Sequence, residues 1–332
     1  VKDGAVTARK ARRKSAGVTM ADVARAAGVS MQTVSRFLRF PDTVTPETSR
    51  SIQAAIDKIH YVHNLAASHL ASARSNTVAV IIPTLSASIF AETIQHFSEC
   101  LHQAGYQIFL GNTDYSSERE DEVIRSLLGR RPDGLFVIGT RHSKAGADLL
   151  KHSGIPIVEG WELTSRPIDR LVGFSNAAAM MAMARYLFES GRRRIVFAGV
   201  LRKGDSRAAE RRDGFVEAMK TLTPGTPARM VIAHDHDLGM SAGVNLLLEC
   251  RRQFPDADAL MFSSDVLAAG ALLECSRRAI SVPSQLAITG FGDFELARHL
   301  NPSLTTVAVP AAEIGLKAGR LLLDAMQDNV LQ

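Results

Sequence analysis

From Thr77 onward the chain keeps one rhythm: short runs rich in β-branched and aromatic residues, such as VAVII at 78–82, alternate with amphipathic segments of helical length. This alternation restricts the fold severely. Parallel strands need long crossover connections, and these are usually helices, so a β-α-β-α pattern implies parallel sheets covered by helices. The runs predict strands at 77–83, 106–111, 134–138, 155–159, 170–174, 194–199, 229–233, 258–263 and 285–290. Helices are predicted near 89–104, 116–131, 144–153, 176–190, 209–222, 240–253 and 265–279. Around ten strands in roughly 250 residues are too many for one compact sheet. The reading is therefore two Rossmann-like parallel-sheet lobes within 77–328: lobe 1 over about 77–174, lobe 2 over about 175–304, and a return to lobe 1 near 305–328 through TTVAVP and a helix at 311–328.

No apolar run approaches the ~18 residues that span a bilayer, so no membrane partner is expected. The three cysteines, Cys100, Cys250 and Cys275, are far apart and have neither metal-ligand spacing nor an even count. The N-terminal stretch carries ARKARRK in place of an apolar leader. These features together predict a cytoplasmic protein. Charge is unevenly divided. Residues 1–76 hold twelve Lys and Arg against five Asp and Glu, whereas the rest hold twenty-seven against twenty-nine. All of the positive excess thus lies in the first quarter, which points to a polyanionic partner. For residues 9–14 a solvated basic tail explains the charge equally well, and 1–17 is read as a disordered tail.

The segment that follows the tail is more specific. Thr19 is placed to cap a helix with Met20, Val23, Ala24 and Ala27 on one face, and Gly28 to end it. Ser30 is placed to cap a second helix with Val34, Phe37 and Leu38 inward, which leaves Met31, Gln32, Thr33, Ser35 and Arg36 largely outward. Thr45-Pro46-Glu47 opens a third, running to about Tyr61. Three short helices, the first two joined by a glycine turn, make a helix-turn-helix head over 18–62. In that motif the second helix enters the major groove. Gln32 suits an adenine edge, Arg36 a guanine edge and Met31 a thymine methyl. A plain three-helix bundle is the bland alternative, but the exposed face lacks the Glu and Lys mixture of an ordinary solvated helix.

Enzyme signatures are missing from the body. No GxGxxG follows a strand, and neither GxxxxGK[ST] nor HExxH occurs. GFSNA at 173–177 lacks the final glycine of a nucleophile elbow. The chain is read as a non-enzyme that needs no cofactor and no metal. Two-lobe α/β proteins bind ligands at the carboxyl ends of their strands. Loops there carry SASIF (86–90), NTDY (112–115), GTRH (139–142), EGWE (159–162), GDSRAAERRDGF (204–215), SSD (263–265) and GFGDF (290–294). Trp161 is suited to stack on a carbon skeleton; Thr140, Glu162 and Asp265 are suited to bond hydroxyls. Arg207 and Arg211 lie four apart and suit an anion. Surface ion pairing and simple packing are the alternatives for the arginines and for Trp161.

MADVARAAGVSMQTVSRFL, followed by TPETSRSIQAAIDKIHYVHNLAASHLASARS, resembles the DNA-binding head of the lactose-repressor (LacI/GalR) family, and the resemblance continues through about residue 328. It implies that Met31, Gln32 and Arg36 read bases, with Thr19, Ser30, Thr33 and Ser35 near phosphates. It implies that 63–76 is a hinge whose Leu70 wedges into the minor groove, beside Asn64 and Ala67. In the body it places Phe90, Thr140, Trp161 and Arg211 at the effector. Two departures stand out: Ser264 where the family often has Asn, and Gly290-Phe291-Gly292 with Asp293 one place later than the usual acid. VSRFLR, GTRH, VEGWE, VGFSN and GFGDF look closest to the gluconate-utilization repressor branch. The implied protein is a homodimeric repressor on a pseudo-palindromic double-stranded operator, controlled by a small sugar or sugar acid such as gluconate. A solute-binding protein or sugar sensor without a direct DNA role would share the body but should lack residues 19–75. The family pattern also implies one more strand after the 311–328 helix, and the chain stops at Gln332 with no leucine-heptad tail.

Overall fold

The structure, a computed structural model, describes residues 18–63, 74–85, 90–234 and 238–328. The chain divides into two compact units, Val1–Ser75 and Asn76–Gln332.

In the first unit, helices α1 (Met20–Ala27), α2 (Met31–Arg39) and α3 (Pro46–Ile59) follow one another, with a single 3₁₀ turn at Pro41–Thr43. The boundaries have local causes. The Thr19 N–H and hydroxyl both donate to the Asp22 carboxylate, at 3.0 and 2.7 Å, and fix the start of α1. Gly28 closes that helix at φ 68°, the left-handed region that glycine enters cheaply, and the Val29 N–H reaches back to the Ala24 carbonyl at 3.0 Å. The Ser30 hydroxyl accepts the Thr33 N–H at 3.1 Å and starts α2. Val23, Val34 and Ile52, one from each helix, are wholly buried together with Ala24, Ala55 and Tyr61. Each large side chain in such a core contributes ~1.5–3 kcal/mol.

The second unit holds two five-stranded sheets in which every strand pairing is parallel. The first is built from β1 (Thr77–Ile82), α4 (Ala91–Gln103), β2 (Gln107–Asn112), α5 (Ser117–Leu128), β3 (Gly134–Ile138), α6 (Lys144–Lys151), β4 (Ile157–Gly160) and β5 (Arg170–Val172), in strand order β2-β1-β3-β4-β5. The second follows with α7 (Asn176–Glu189), β6 (Ile195–Leu201), α8 (Ser206–Leu222), β7 (Arg229–His234), α9 (Met240–Gln253), β8 (Ala259–Phe262), α10 (Asp265–Arg277), β9 (Ala287–Gly292), α11 (Glu295–His299) and β10 (Thr305–Ala308), in order β10-β9-β8-β6-β7. Central strands are apolar on both faces: β1, β3 and β8 are buried throughout, as parallel strands between helices must be. Helix α12 (Ala311–Asp328) then packs on α4 in the first lobe.

One assignment is corrected. TTVAVP was expected to belong to the return into lobe 1, but Thr305–Ala308 pairs with Thr289–Gly292 and forms the edge of the second sheet. The crossing comes later, at Val309 and Pro310. An edge strand of four residues, partly exposed, lacks the long apolar run that marks a central strand. Helix α8 also begins at Ser206, three residues before the expected 209, because the Asp205 carboxylate accepts the Ala208 N–H at 3.1 Å. The short helix α11 was not anticipated.

Candidate functional site

The head presents one polar helix face. On α2, Met31 is 55% exposed, Gln32 and Arg36 are exposed, and Val34 is wholly buried, so the core fixes which way the helix faces. Thr33 and Ser35 are half-buried at its flank, and the Ser30 and Thr33 hydroxyls lie 2.8 Å apart. No acid occupies the first turn of α2. That end of the helix therefore keeps the partial positive charge that favours a phosphate. Thr19 is exposed beside the start of α1. Asn64, Ala67 and Leu70 lie outside the described residues.

In the body, side chains from the two lobes converge on Glu162, which is fully buried just after β4. Its Oε1 accepts from the Ser206 hydroxyl at 2.5 Å and from the Arg207 guanidinium at 2.8 Å; its Oε2 accepts from the Thr140 hydroxyl at 3.0 Å. Thr140 and Glu162 belong to the first lobe, Ser206 and Arg207 to the start of α8 in the second. Arg211, one turn further along α8, donates to the Asn176 amide oxygen at 3.0 Å, and the Asn176 amide donates to the Trp161 carbonyl at 3.2 Å. The Arg211 Nε is buried and, among the described residues, has no hydrogen-bond partner.

Aromatic rings wall the cluster. Phe90 meets Trp161 edge-on at 4.9 Å, Trp161 meets Phe174 at 6.0 Å, and Phe174 stacks on Phe291 at 6.3 Å. The Arg207 guanidinium lies 5.5 Å from the Phe90 centroid and that of Arg211 lies 4.8 Å from Phe291. Trp161 adopts φ 72°, and its indole Nε1 is a second buried donor without a partner among the described residues. A bulky residue in the left-handed region is uncommon and strained, which is a feature of ligand sites. Burial pushes the Tyr115 hydroxyl up to about 12, with the Asp205 carboxylate adding to the shift. Burial pulls the Arg211 guanidinium down, whereas for Arg207 it is outweighed by the charges of Asp205 and Glu162.

The lobes touch elsewhere too. Arg141 reaches Glu210 at 3.0 Å and Arg202 reaches Asp114 at 3.8 Å. At Gly204, which has φ 87°, a Cβ would lie 2.0 Å from the Tyr115 carbonyl oxygen.

The structure thus gathers Phe90, Thr140, Trp161, Glu162, Arg207 and Arg211. It does not bring Asp265 or Asp293 into the cluster. The Asp265 carboxylate is fully buried, accepting the Phe294 N–H at 2.8 Å and the Thr306 hydroxyl at 2.5 Å, so it braces the turn after β9. Gly290 is glycine for the same reason: a Cβ there would lie 2.1 Å from Asp265 Oδ1. Asp293 pairs with Arg298 at 3.2 Å. Sequence reasoning missed Tyr115, Phe174, Asn176, Ser206 and Phe291. Phe174, Asn176 and Phe291 are legible within VGFSN and GFGDF, Tyr115 within NTDY and Ser206 within GDSRAAERRDGF.

A three-helix head with a polar exposed face and a two-lobe body with a charged, aromatic-walled cleft are the architecture of a DNA-binding transcriptional regulator. Residues 19–64 match the bacterial regulatory proteins of the lacI family, and 184–332 match the periplasmic binding protein-like domain. The chain belongs to the LacI family. It is 34% identical to the HTH-type transcriptional regulator GntR of Pseudomonas aeruginosa, covering 92% of this chain and 88% of that one. The regulator of the same name from Escherichia coli K12 is 33% identical, with 93% and 92% covered. A crystal structure of a LacI-family regulator from Silicibacter pomeroyi superposes with a TM-score of 0.88 at 34% identity, over 95% of this chain and 94% of that one. These relatives are regulators of transcription.

Proposed function

We propose that the protein is a homodimeric repressor whose two heads read the half-sites of a pseudo-palindromic operator and whose body binds a sugar acid, gluconate or a close relative. Met31, Gln32 and Arg36 would meet base edges, with Thr19, Ser30, Thr33 and Ser35 toward the phosphates and Asn64, Ala67 and Leu70 in a hinge. One observation carries the ligand assignment. The Arg211 guanidinium is buried beside aromatic rings with an open Nε, which suits a carboxylate attached to a carbon skeleton that packs on Trp161 and Phe90. Thr140, Glu162 and Ser206 supply the hydroxyl-bonding groups of a polyol site.

Dimerisation is supported by two grooves whose linings mix apolar with polar side chains. One on the first lobe, of about 300 Å³, is lined by Leu85, Ile94, Ile108 and Leu110; one on the second, of about 470 Å³, by Val231, Ala233, Ala242 and Leu246. Phe109 and Leu110 are exposed on the edge strand β2. Control is a population shift: the ligand must bind one arrangement of the lobes more tightly, and the operator affinity changes by the same coupling. The proposed compartment is the cytoplasm.

Selection of bound sequences from random duplexes, with and without gluconate, tests the whole reading. The expected result is one pseudo-palindromic site whose occupancy changes at least about tenfold with the ligand. A site that is not two-fold symmetric, or one indifferent to every six-carbon aldonate, removes the corresponding half of the proposal.

A further inference from the structure

The two arginines of the cleft are not equivalent, and the difference bears on the charge of the ligand. Arg207 is already spent. Its guanidinium is held at 2.8 Å by a carboxylate with no exposure, and that carboxylate is itself fixed by two hydroxyls, one from each lobe. Arg211 makes its hydrogen bond to the neutral Asn176 amide oxygen rather than to a carboxylate, and keeps a buried, open Nε among the described residues. The Asp205 charge acts on both arginines, but among the described residues it forms no ion pair with either. Asp205 commits an oxygen to the Ala208 N–H at the positive end of α8, Glu210 is bonded to Arg141, and burial keeps Tyr115 neutral. An ion pair sealed away from water is hard to open, because removing either partner strands a buried charge.

We infer that Glu162 is the specificity-determining residue of the cleft: by acting as a built-in counter-ion for Arg207, it leaves Arg211 as the anion-binding group, and the ligand is a monoanion. This rests on the sugar-acid reading above and sharpens it. Aldonates with one carboxylate fit; aldarates with a carboxylate at each end do not, since the second would face the buried Glu162 carboxylate. The like-charge contact that excludes the dianion is the repulsive element from which specificity is built.

Titration calorimetry of the full chain with gluconate and with galactarate tests this. The wild-type protein is expected to bind gluconate and to bind galactarate at least about tenfold more weakly. In Glu162→Gln, Arg207 is released, and the gluconate-to-galactarate ratio should fall by at least about tenfold. The double variant Glu162→Gln/Arg207→Gln removes the pair together, leaves no stranded charge, and should restore the gluconate-to-galactarate ratio to within about threefold of the wild-type value, whatever its absolute affinity for gluconate. A ratio unchanged in Glu162→Gln with gluconate binding intact overturns the inference and leaves the sugar-acid reading standing. So does a double variant whose ratio stays as low as that of Glu162→Gln, since the freed arginine would then not be what admits the dianion. Absence of gluconate and galactarate binding in every variant and in the wild type overturns both.

Discussion

At the scale of single residues, Gln32 and His142 give sharp expectations. Gln32 is exposed on the second helix of the head, and its amide can bond an adenine edge in two places. Gln32→Ala should relax base preference at one operator position by ~1–3 kcal/mol while the other positions hold, as measured by competition between single-substituted duplexes. His142 lies in the loop that carries Thr140 and Arg141. Its side chain is 4% exposed, with Nδ1 bonded to Glu120 and Nε2 3.4 Å from Glu159. Burial opposes the charged ring, but the two carboxylates outweigh it and hold the imidazole up at about 9. Since the folded value lies above the ordinary 6.5, the stabilisation is complete below 6.5, shrinks as the unfolded chain alone loses its proton, and is gone once pH passes about 9. Its upper bound is ~3 kcal/mol. The wild-type melting temperature should therefore fall between pH 6.5 and 9.5 relative to that of His142→Gln; parallel profiles would show that the ring is not charged in the fold.

At the scale of elements, helix packing is set by small residues where backbones approach. Gly315 on α12 lies against α4 so closely that a Cβ would sit 2.3 Å from the Thr93 carbonyl oxygen, and the Thr93 hydroxyl donates to the Ala311 carbonyl at 2.9 Å. Gly315→Val must push the two helices apart, with an expected loss of ~1–3 kcal/mol in denaturant unfolding. The strands of both sheets were legible because their apolar runs are long enough to be recognised without tertiary context; β10 was not, because a half-exposed Thr-Thr-Val-Ala edge reads as a connection. The site was legible in part. Spacing of four puts Arg207 and Arg211 on one helix face, but nothing local pairs Arg207 with a glutamate 45 residues away on the other lobe. Asp265 looked like a ligand group for the converse reason: its partners, Phe294 and Thr306, are 29 and 41 residues distant. Long-range pairing of buried polar groups is what a single sequence conceals.

At the scale of the whole molecule, two units with separate cores should report separately. Calorimetry of the full chain is expected to resolve two unfolding transitions, with an operator duplex raising that of the head and gluconate that of the body. A single transition moved equally by both ligands would mean that the units unfold as one. Operator affinity should fall on the order of 10³-fold between 50 and 200 mM salt, since the positive excess of the first quarter neutralises phosphates. The bare backbone at Gly204 carries a genetic consequence. There the lobes meet with no room for even one methyl group. Any heavier residue would act as a doorstop, holding the jaws ajar, and the resulting allele should be deaf to its small molecule while its head stays intact.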